Sequence, residues 1–152
     1  MLTFMWAAQE KAFQSATAVM TNGMTVFTIT GGPIQIRELL SVCVTANDAT
    51  ASTMQWQSVP TVGTATTFTG ATATLANATA GTTVLIQPTA LSTAPVIVTA
   101  ANGGLHLGLV AQNRIIVKNG TIKLVIGVGS TTGTWTHLIR YQPLSPDAII
   151  NG

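Results

Sequence analysis

Side chains that commonly perform chemistry are few in this chain and far apart in its sequence. His106 and His137 have no second histidine, cysteine or aspartate close to them, and Cys43 stands alone in an apolar segment. A structural zinc ion needs about four ligands, and a reactive thiol needs a neighbouring base or cation. The carboxylates are also too scattered to predict an acid–base pair. We therefore predict no catalytic residue, no metal site, no cofactor and no enzymatic activity.

Residues 127–133, GVGSTTG, superficially resemble a glycine-rich phosphate loop. Such a loop is followed by a helix whose N-terminus faces the anion, and the P-loop form carries a lysine beside its serine or threonine. Here residues 134–141 alternate as a strand does, and no lysine is adjacent. We interpret the segment as a flexible loop between two strands.

Half of the 6 lysines and arginines occur in one short segment, at Arg114, Lys118 and Lys123. Two β-branched runs flank Asn119-Gly120 there, which is typical of a type I′ hairpin with a two-residue loop. The predicted register pairs Val117 with Ile122, Ile115 with Leu124, and Lys118 with Thr121. The three cations then share one face. They are either solvated positions that keep an edge from aggregating or a docking surface for an acidic protein.

Most of the remaining chain alternates with a period of two, which predicts strands. The predicted strands are residues 24–30, 34–45, 53–59, 83–87, 95–99 and 134–141. Their short, regular spacing and the lack of βα alternation favour an antiparallel sandwich or barrel. We predict an all-β, jelly-roll-like antiparallel β-sandwich at residues 23–146, followed by a C-terminal tail at residues 147–152.

Glu38 interrupts the alternation of the predicted strand 34–45. The apolar face of that strand contains Ile34, Ile36, Leu40, Val42 and Val44. Glu38 falls on the same face, so either it has a partner, Arg140, or a bulge or strand end turns it outward.

The N-terminal segment, residues 1–22, has three interpretations. Its apolar residues follow a roughly helical spacing, which predicts a short helix. The segment could instead be an arm that lies on a neighbouring subunit, anchored by Phe4, Trp6 and Phe13, or it could pack on its own domain. Because it lacks a basic region and a long apolar core, we expect no signal peptide and synthesis in the cytoplasm. No transmembrane helix and no membrane partner are expected either.

The composition favours an assembly. Charged residues make up 7% of the chain and hydrophobic residues 47%, whereas ordinary soluble domains carry about 25% charge. Residues 49–113 contain no Asp, Glu, Lys or Arg. A surface so poor in charge is better tolerated when neighbouring subunits cover it. The net charge of +2 is too small and too dispersed to predict a nucleic-acid partner.

Three features together resemble the small β-rich virion proteins of tailed bacteriophages, and among them the capsid decoration, or cement, proteins. They are the early strand VFTITGGPI at residues 26–34, the Thr/Ala/Gly-rich middle, and the late strand TWTHLIRYQPL at residues 134–144. The resemblance implies a β-sandwich, a homotrimer, the major capsid protein as partner, a terminal arm that ties capsid subunits together, and a place on the capsid surface of the virion. No enzymatic residues carry over.

Two alternatives remain open at this point. One is a receptor-binding or lectin-like module of a phage tail fibre, in which Trp56 or Trp135 stacks on a sugar. The other is an unrecognised enzyme, which would require a cleft with paired ionisable residues.

Overall fold

The computed structural model describes residues 9–86, 93–98 and 115–152, and the structural statements below concern these residues. They form strands and contain no helix. The strands are β1 Lys11–Gln14, β2 Ala18–Val19, β3 Thr25–Thr30, β4 Ile34–Thr45, β5 Met54–Pro60, β6 Thr66–Thr67, β7 Thr83–Leu85, β8 Val96–Val98, β9 Ile115–Val117, β10 Gly120–Ile126, β11 Thr134–Pro143 and β12 Ile149–Asn151.

The described strands form two antiparallel sheets. The larger, seven-stranded sheet has the order β1-β11-β4-β7-β8, with β2 also beside β11 and β9 also beside β4. The smaller, five-stranded sheet has the order β12-β3-β10-β5-β6. Every strand pair is antiparallel. The predicted all-β sandwich is confirmed.

The core lies between the two sheets. Trp56 of the smaller sheet stacks on Phe27 at a ring-centroid distance of 6.2 Å and meets His137 of the larger sheet edge to face at 5.2 Å. Apolar side chains from both sheets surround these rings; among them are Ile29, Leu39, Met54, Ile122, Leu124 and Ile139. The alternation in the sequence places these residues on the inner faces.

A bulge in β4 inverts its alternation. The pairing moves from Glu38 opposite Arg140 to Ile36 opposite Tyr141, so Arg37 has no cross-strand counterpart in β11. Beyond the bulge the buried side chains are Leu39, Ser41 and Cys43. The prediction that Leu40, Val42 and Val44 face the core was wrong, because one extra residue moves every later side chain to the other face. At Glu38 both expectations are confirmed, since the bulge lies there and Arg140 is its partner at 3.4 Å.

The described part of the N-terminal segment packs on its own domain. β1 and β2 both pair with β11, and Phe13 is half-buried, with its ring edge to face with Phe27 at 6.0 Å. The helix prediction was therefore wrong for residues 9–22. Phe4 and Trp6 lie outside the described residues.

The C-terminal residues form a strand that the sequence did not predict. β12 pairs with β3 along the edge of the smaller sheet. Ala148 and Ile150 are buried, and the Ile150 N–H donates a hydrogen bond to the Tyr141 hydroxyl at 3.2 Å. A strand this short gives too little alternation to be recognised in the sequence.

The predicted hairpin at residues 114–126 was wrong. β9 pairs with β4 in the larger sheet, whereas β10 pairs with β3 and β5 in the smaller one. Asn119 and Gly120 therefore carry the chain from one sheet to the other. The Asn119 side-chain oxygen accepts a hydrogen bond from the Gly32 N–H at 2.8 Å, and its carbonyl accepts one from the Thr61 N–H at 2.8 Å.

Gly120 is required at this crossing for two reasons. Its φ is +142°, and an added Cβ would overlap the Val59 carbonyl oxygen and lie 2.6 Å from the Pro60 Cα. The sequence signal for a hairpin turn thus belongs to a tight corner between sheets. Val117, Ile122 and Leu124 are all buried, so the apolar pattern was interpreted correctly although the pairing was not.

Candidate functional site

The larger sheet brings a serine and a histidine into contact. Ser41 of β4 lies opposite His137 of β11, and the Ser41 Oγ is 2.8 Å from the His137 Nδ1. Hydrolases use such a contact to activate a nucleophile. Here both residues are buried, at 0% and 1% exposure, and burial lowers the pKa of His137 to about 4. Because substrate cannot reach either side chain, we assign this pair to the core.

The other described residues that could react or stack on a ligand, Cys43, Trp56 and Trp135, are also buried. The Cys43 thiol donates to the Thr45 carbonyl oxygen at 3.2 Å, and burial raises its pKa. Trp56 and Trp135 are fully buried. Neither tryptophan can stack on a sugar, so that element of the tail-fibre alternative was wrong. His106 lies outside the described residues.

The glycine-rich loop after β10 holds a carboxylate of its own chain. The Asp48 carboxylate accepts hydrogen bonds from the Thr131 N–H at 3.0 Å and the Thr131 hydroxyl at 2.9 Å. It also accepts one from the Thr50 N–H at 2.9 Å. Hydrogen bonds from Thr50 and Thr131 keep the pKa of Asp48 well below its ordinary value. The loop connects two strands as predicted, but it is anchored and its Thr131 donors are already occupied.

Charged groups gather on the outer face of the larger sheet. Arg140 lies 2.8 Å from Glu10 and 3.4 Å from Glu38, and Arg37 donates to the Gln142 side-chain oxygen. Of these residues, Glu38 and Arg140 border a cleft of about 300 Å³, which is also lined by Leu40 and Leu138. Since Arg140 already has two carboxylates, this ion cluster is largely neutralised within the chain.

A second concave surface lies where the edges of the two sheets separate, and we call it the edge groove. Its volume is about 290 Å³. Its principal lining residues are Val62, Thr64, Phe68, Ile115, Ile116 and Lys118. β9 forms one wall, and the other wall is the segment that runs from the end of β5 through β6 to Phe68.

The edge groove combines exposed apolar groups with one cation. Val62 is 83% and Ile116 is 60% exposed, whereas Phe68 is buried at the floor. Lys118 is exposed and is the single charged residue among the described residues of the lining. In the described part of the chain the ion pairs all involve Arg140, so no described carboxylate neutralises Lys118.

The two described lysines of the predicted basic face lie in different sheets. Lys118 directly follows β9 of the larger sheet, whereas Lys123 is half-buried on β10 of the smaller sheet, opposite Gln57. Arg114 lies outside the described residues. The prediction that these cations share one face depended on the hairpin, and the structure does not contain that hairpin. The contact role of Lys118 itself stays a prediction.

Sequence reasoning missed Val62 and Ile116. Val62 lies in a Thr/Ala/Gly-rich stretch without clear alternation, and Ile116 was placed in the hairpin. The isolated Val62 close to Pro60 and Gly63 was the one available signal of an exposed apolar turn.

Comparisons with known proteins give no relative: no family model, no curated protein and no solved structure matches this chain. Among the described residues, no three or more His, Cys, Asp and Glu side chains are placed so that they could hold a metal ion. Those residues also include no helix that is long and apolar enough to cross a membrane.

Proposed function

We propose that this protein is a virion structural protein, a capsid decoration or cement protein that binds the assembled capsid lattice and stabilises it. The observation that carries the proposal is the distribution of side-chain types. Ser41, His137 and Cys43 are buried, while the edge groove presents apolar groups and a lysine to solvent. Such a surface is suited to binding another protein and offers no group for turnover, so we propose no enzymatic role.

The physical action of a cement protein fits a surface of this kind. Stabilisation comes from area that is buried at many equivalent contacts. An interface of about 1,600 Å² gives anything from micromolar to picomolar affinity, depending on its packing. Repetition over a lattice multiplies the effect of each contact, because linked sites bind with a high effective concentration.

The proposed partners are the major capsid protein and further copies of this chain in a homotrimer, at the capsid surface of the virion. Trimer formation would cover part of the charge-poor surface. The described residues 9–22 lie on their own domain, so the proposal does not require an arm from them. Successive strands alternate between the two sheets, as β3, β4 and β5 do, and this topology supports the proposed jelly-roll connectivity.

The experiment that tests the proposal is a rebinding assay. Purified protein is added to capsids that have been stripped of it, and occupancy and capsid melting temperature are measured. The proposal predicts saturable occupancy and a higher melting temperature, with unfolded protein as the control. Absence of rebinding, together with binding to host cells or glycans, would instead support the tail-fibre alternative.

A further inference from the structure

We propose that the Asn151-Gly152 step is a self-modifying site, at which the asparagine loses its side-chain nitrogen as ammonia and becomes aspartate or isoaspartate. The reactants are the chain itself and water. The inference is independent of the proposed function, because it rests on the local contacts of three Asn-Gly steps in this chain.

The chain contains four Asn-Gly dipeptides, which begin at residues 22, 102, 119 and 151. An asparagine followed by glycine is prone to this reaction, because no side chain hinders the glycine nitrogen as it approaches the asparagine Cγ. Asn102 lies outside the described residues. The other three steps differ in how firmly the fold holds the reacting atoms, and that difference selects one of them.

The reaction needs no co-reactant other than water. The Gly152 backbone nitrogen loses its proton and attacks the Asn151 Cγ, the bond from Cγ to the side-chain nitrogen breaks, and ammonia leaves. The product is a cyclic succinimide. Water then opens the ring: addition at Cγ gives aspartate, and addition at the backbone carbonyl carbon gives isoaspartate. Nothing is oxidised or reduced.

The turn at Asn22 holds both reacting groups. The Asn22 Oδ1 accepts a hydrogen bond from the Ile126 N–H at 3.1 Å, and the Gly23 N–H donates one to the Leu124 carbonyl oxygen at 2.8 Å. Ring closure would have to break both hydrogen bonds. We therefore expect Asn22 to react only from a locally opened state.

The corner at Asn119 is held in a comparable way. The Asn119 Oδ1 accepts a hydrogen bond from the Gly32 N–H at 2.8 Å, and its backbone carbonyl accepts one from the Thr61 N–H at 2.8 Å. Gly120 belongs to β10, which pairs with β3 and β5, and it lies tightly against β5. Rotation of the backbone towards the Asn119 Cγ would break these contacts, so this site is protected as well.

Asn151 lacks these restraints. Asn151 and Gly152 are both exposed, and within the described part of the chain neither the Asn151 side chain nor the Gly152 N–H makes a hydrogen bond. Gly152 lies beside the Phe13 ring, an apolar contact that does not hold its nitrogen. Asn151 is the last residue of β12, opposite Thr28. Ring closure therefore frays a single strand residue, which is a local opening of low cost.

The modification should change the charge of the protein more than its fold. The buried Ile150 and its hydrogen bond to the Tyr141 hydroxyl precede the reacting bond, so β12 can keep its place. The new carboxylate lowers the net charge of +2 by one unit, in a chain with only 4 Asp and Glu residues. Aged protein should therefore become more acidic while it remains folded.

The test is peptide mapping of the folded chain after incubation at mildly alkaline pH. Digestion at acidic pH, where the reaction is slow, avoids conversion during preparation, and mass spectrometry with fragmentation that separates aspartate from isoaspartate quantifies each site. In the folded chain Asn151 should convert at least about tenfold faster than Asn22 or Asn119, since those two wait for local opening. In concentrated urea the three sites should convert at similar rates.

Two variants sharpen the test. Asn151→Gln should leave the peptide that contains residue 151 unmodified, because the longer side chain closes a ring far more slowly. Asn151→Asp supplies one product directly and should melt at the same temperature as the parent.

The inference would be overturned if Asn22 or Asn119 converted as fast as Asn151 in the folded chain. It would also be overturned if Asn151 converted in urea but not in the folded chain. A lower melting temperature for Asn151→Asp would contradict the claim that β12 tolerates the product.

Discussion

The interior between the sheets and the edge groove contain opposite kinds of side chain. The interior holds the serine, histidine, cysteine and tryptophan residues that usually signal chemistry or ligand stacking, at Ser41, Cys43, Trp56, Trp135 and His137. The described lining of the groove is mainly valine, isoleucine and threonine with one lysine, and it also includes Ser58 and Phe68. Residue type alone is therefore a poor guide to function here. The serine, histidine, cysteine and tryptophan residues named above are buried, whereas mainly aliphatic and threonine side chains line the groove.

The strongest way to break this arrangement is to alter the corner that separates the two regions. Gly120→Ala combines an unfavourable φ of +142° with overlap against β5. We expect a loss of about 4 kcal/mol in the free energy of unfolding, measured by urea denaturation. Gly23→Ala is the matched control, because Gly23 has a φ of +78° but no atom within 4 Å of an added Cβ. It should cost about 1 kcal/mol, and equal losses would show that the corner is not tightly packed.

Acid should weaken the interior before it affects the groove. The pKa of His137 falls from 6.5 to about 4 on folding, so between these values the unfolded chain binds more protons than the folded one. Stability is therefore complete above the unfolded pKa and is lost as pH falls from about 6.5 towards 4, by about 3 kcal/mol. Urea midpoints across this range measure the loss. In His137→Gln the slope should flatten, and an unchanged slope would contradict the assignment.

The same serine substitution should have different effects in the two regions. Ser41→Ala removes the hydroxyl that contacts the His137 Nδ1 at 2.8 Å and leaves a buried polar nitrogen unpaired. The expected loss is about 2 kcal/mol. Ser58→Ala, in the lining of the groove, should change stability by less than about 0.5 kcal/mol. Thermal unfolding of both variants measures the difference, and comparable values would mean that Ser41 is not held as described.

The smallest effect is expected for exposed charges. Arg140→Gln breaks the contacts with Glu10 and Glu38, but the arginine side chain is 57% exposed. Exposed ion pairs contribute little, so the loss should stay below about 1 kcal/mol and shrink further in high salt. Lys118→Glu should leave stability within about 0.5 kcal/mol. A large loss for Lys118→Glu would indicate that this lysine has a structural role.

The strands with long, clear alternation could be predicted from the sequence. β3, β4 and β11 lie close to their predicted bounds, because a half-buried strand imposes a period of two on its side chains. The same pattern cannot reveal which strand pairs with which. Residues 115–126 carry the signal of a hairpin, yet the two halves pair in different sheets.

The candidate site could not be predicted for the same reason. The groove exists because β9 and the segment after β5 end up side by side without pairing, and that proximity is a property of the closed sandwich. Glu38, which interrupts the apolar alternation of β4, indicated the bulge at Arg37. The inversion of the later residues of β4 could not be predicted, because it depends on the pairing with β11. Lys118 was identified from the scarcity of charge in the sequence, although for a face that does not exist.

The most direct test of the central claim is the occupancy of stripped capsids by three versions of the chain: the parent, a variant with both Ile116→Ser and Lys118→Glu, and Lys123→Glu. We predict that the parent and Lys123→Glu fill the lattice and raise its melting temperature, whereas the double variant binds about tenfold more weakly while remaining folded. Failure of the folded parent to bind the capsid would contradict the account.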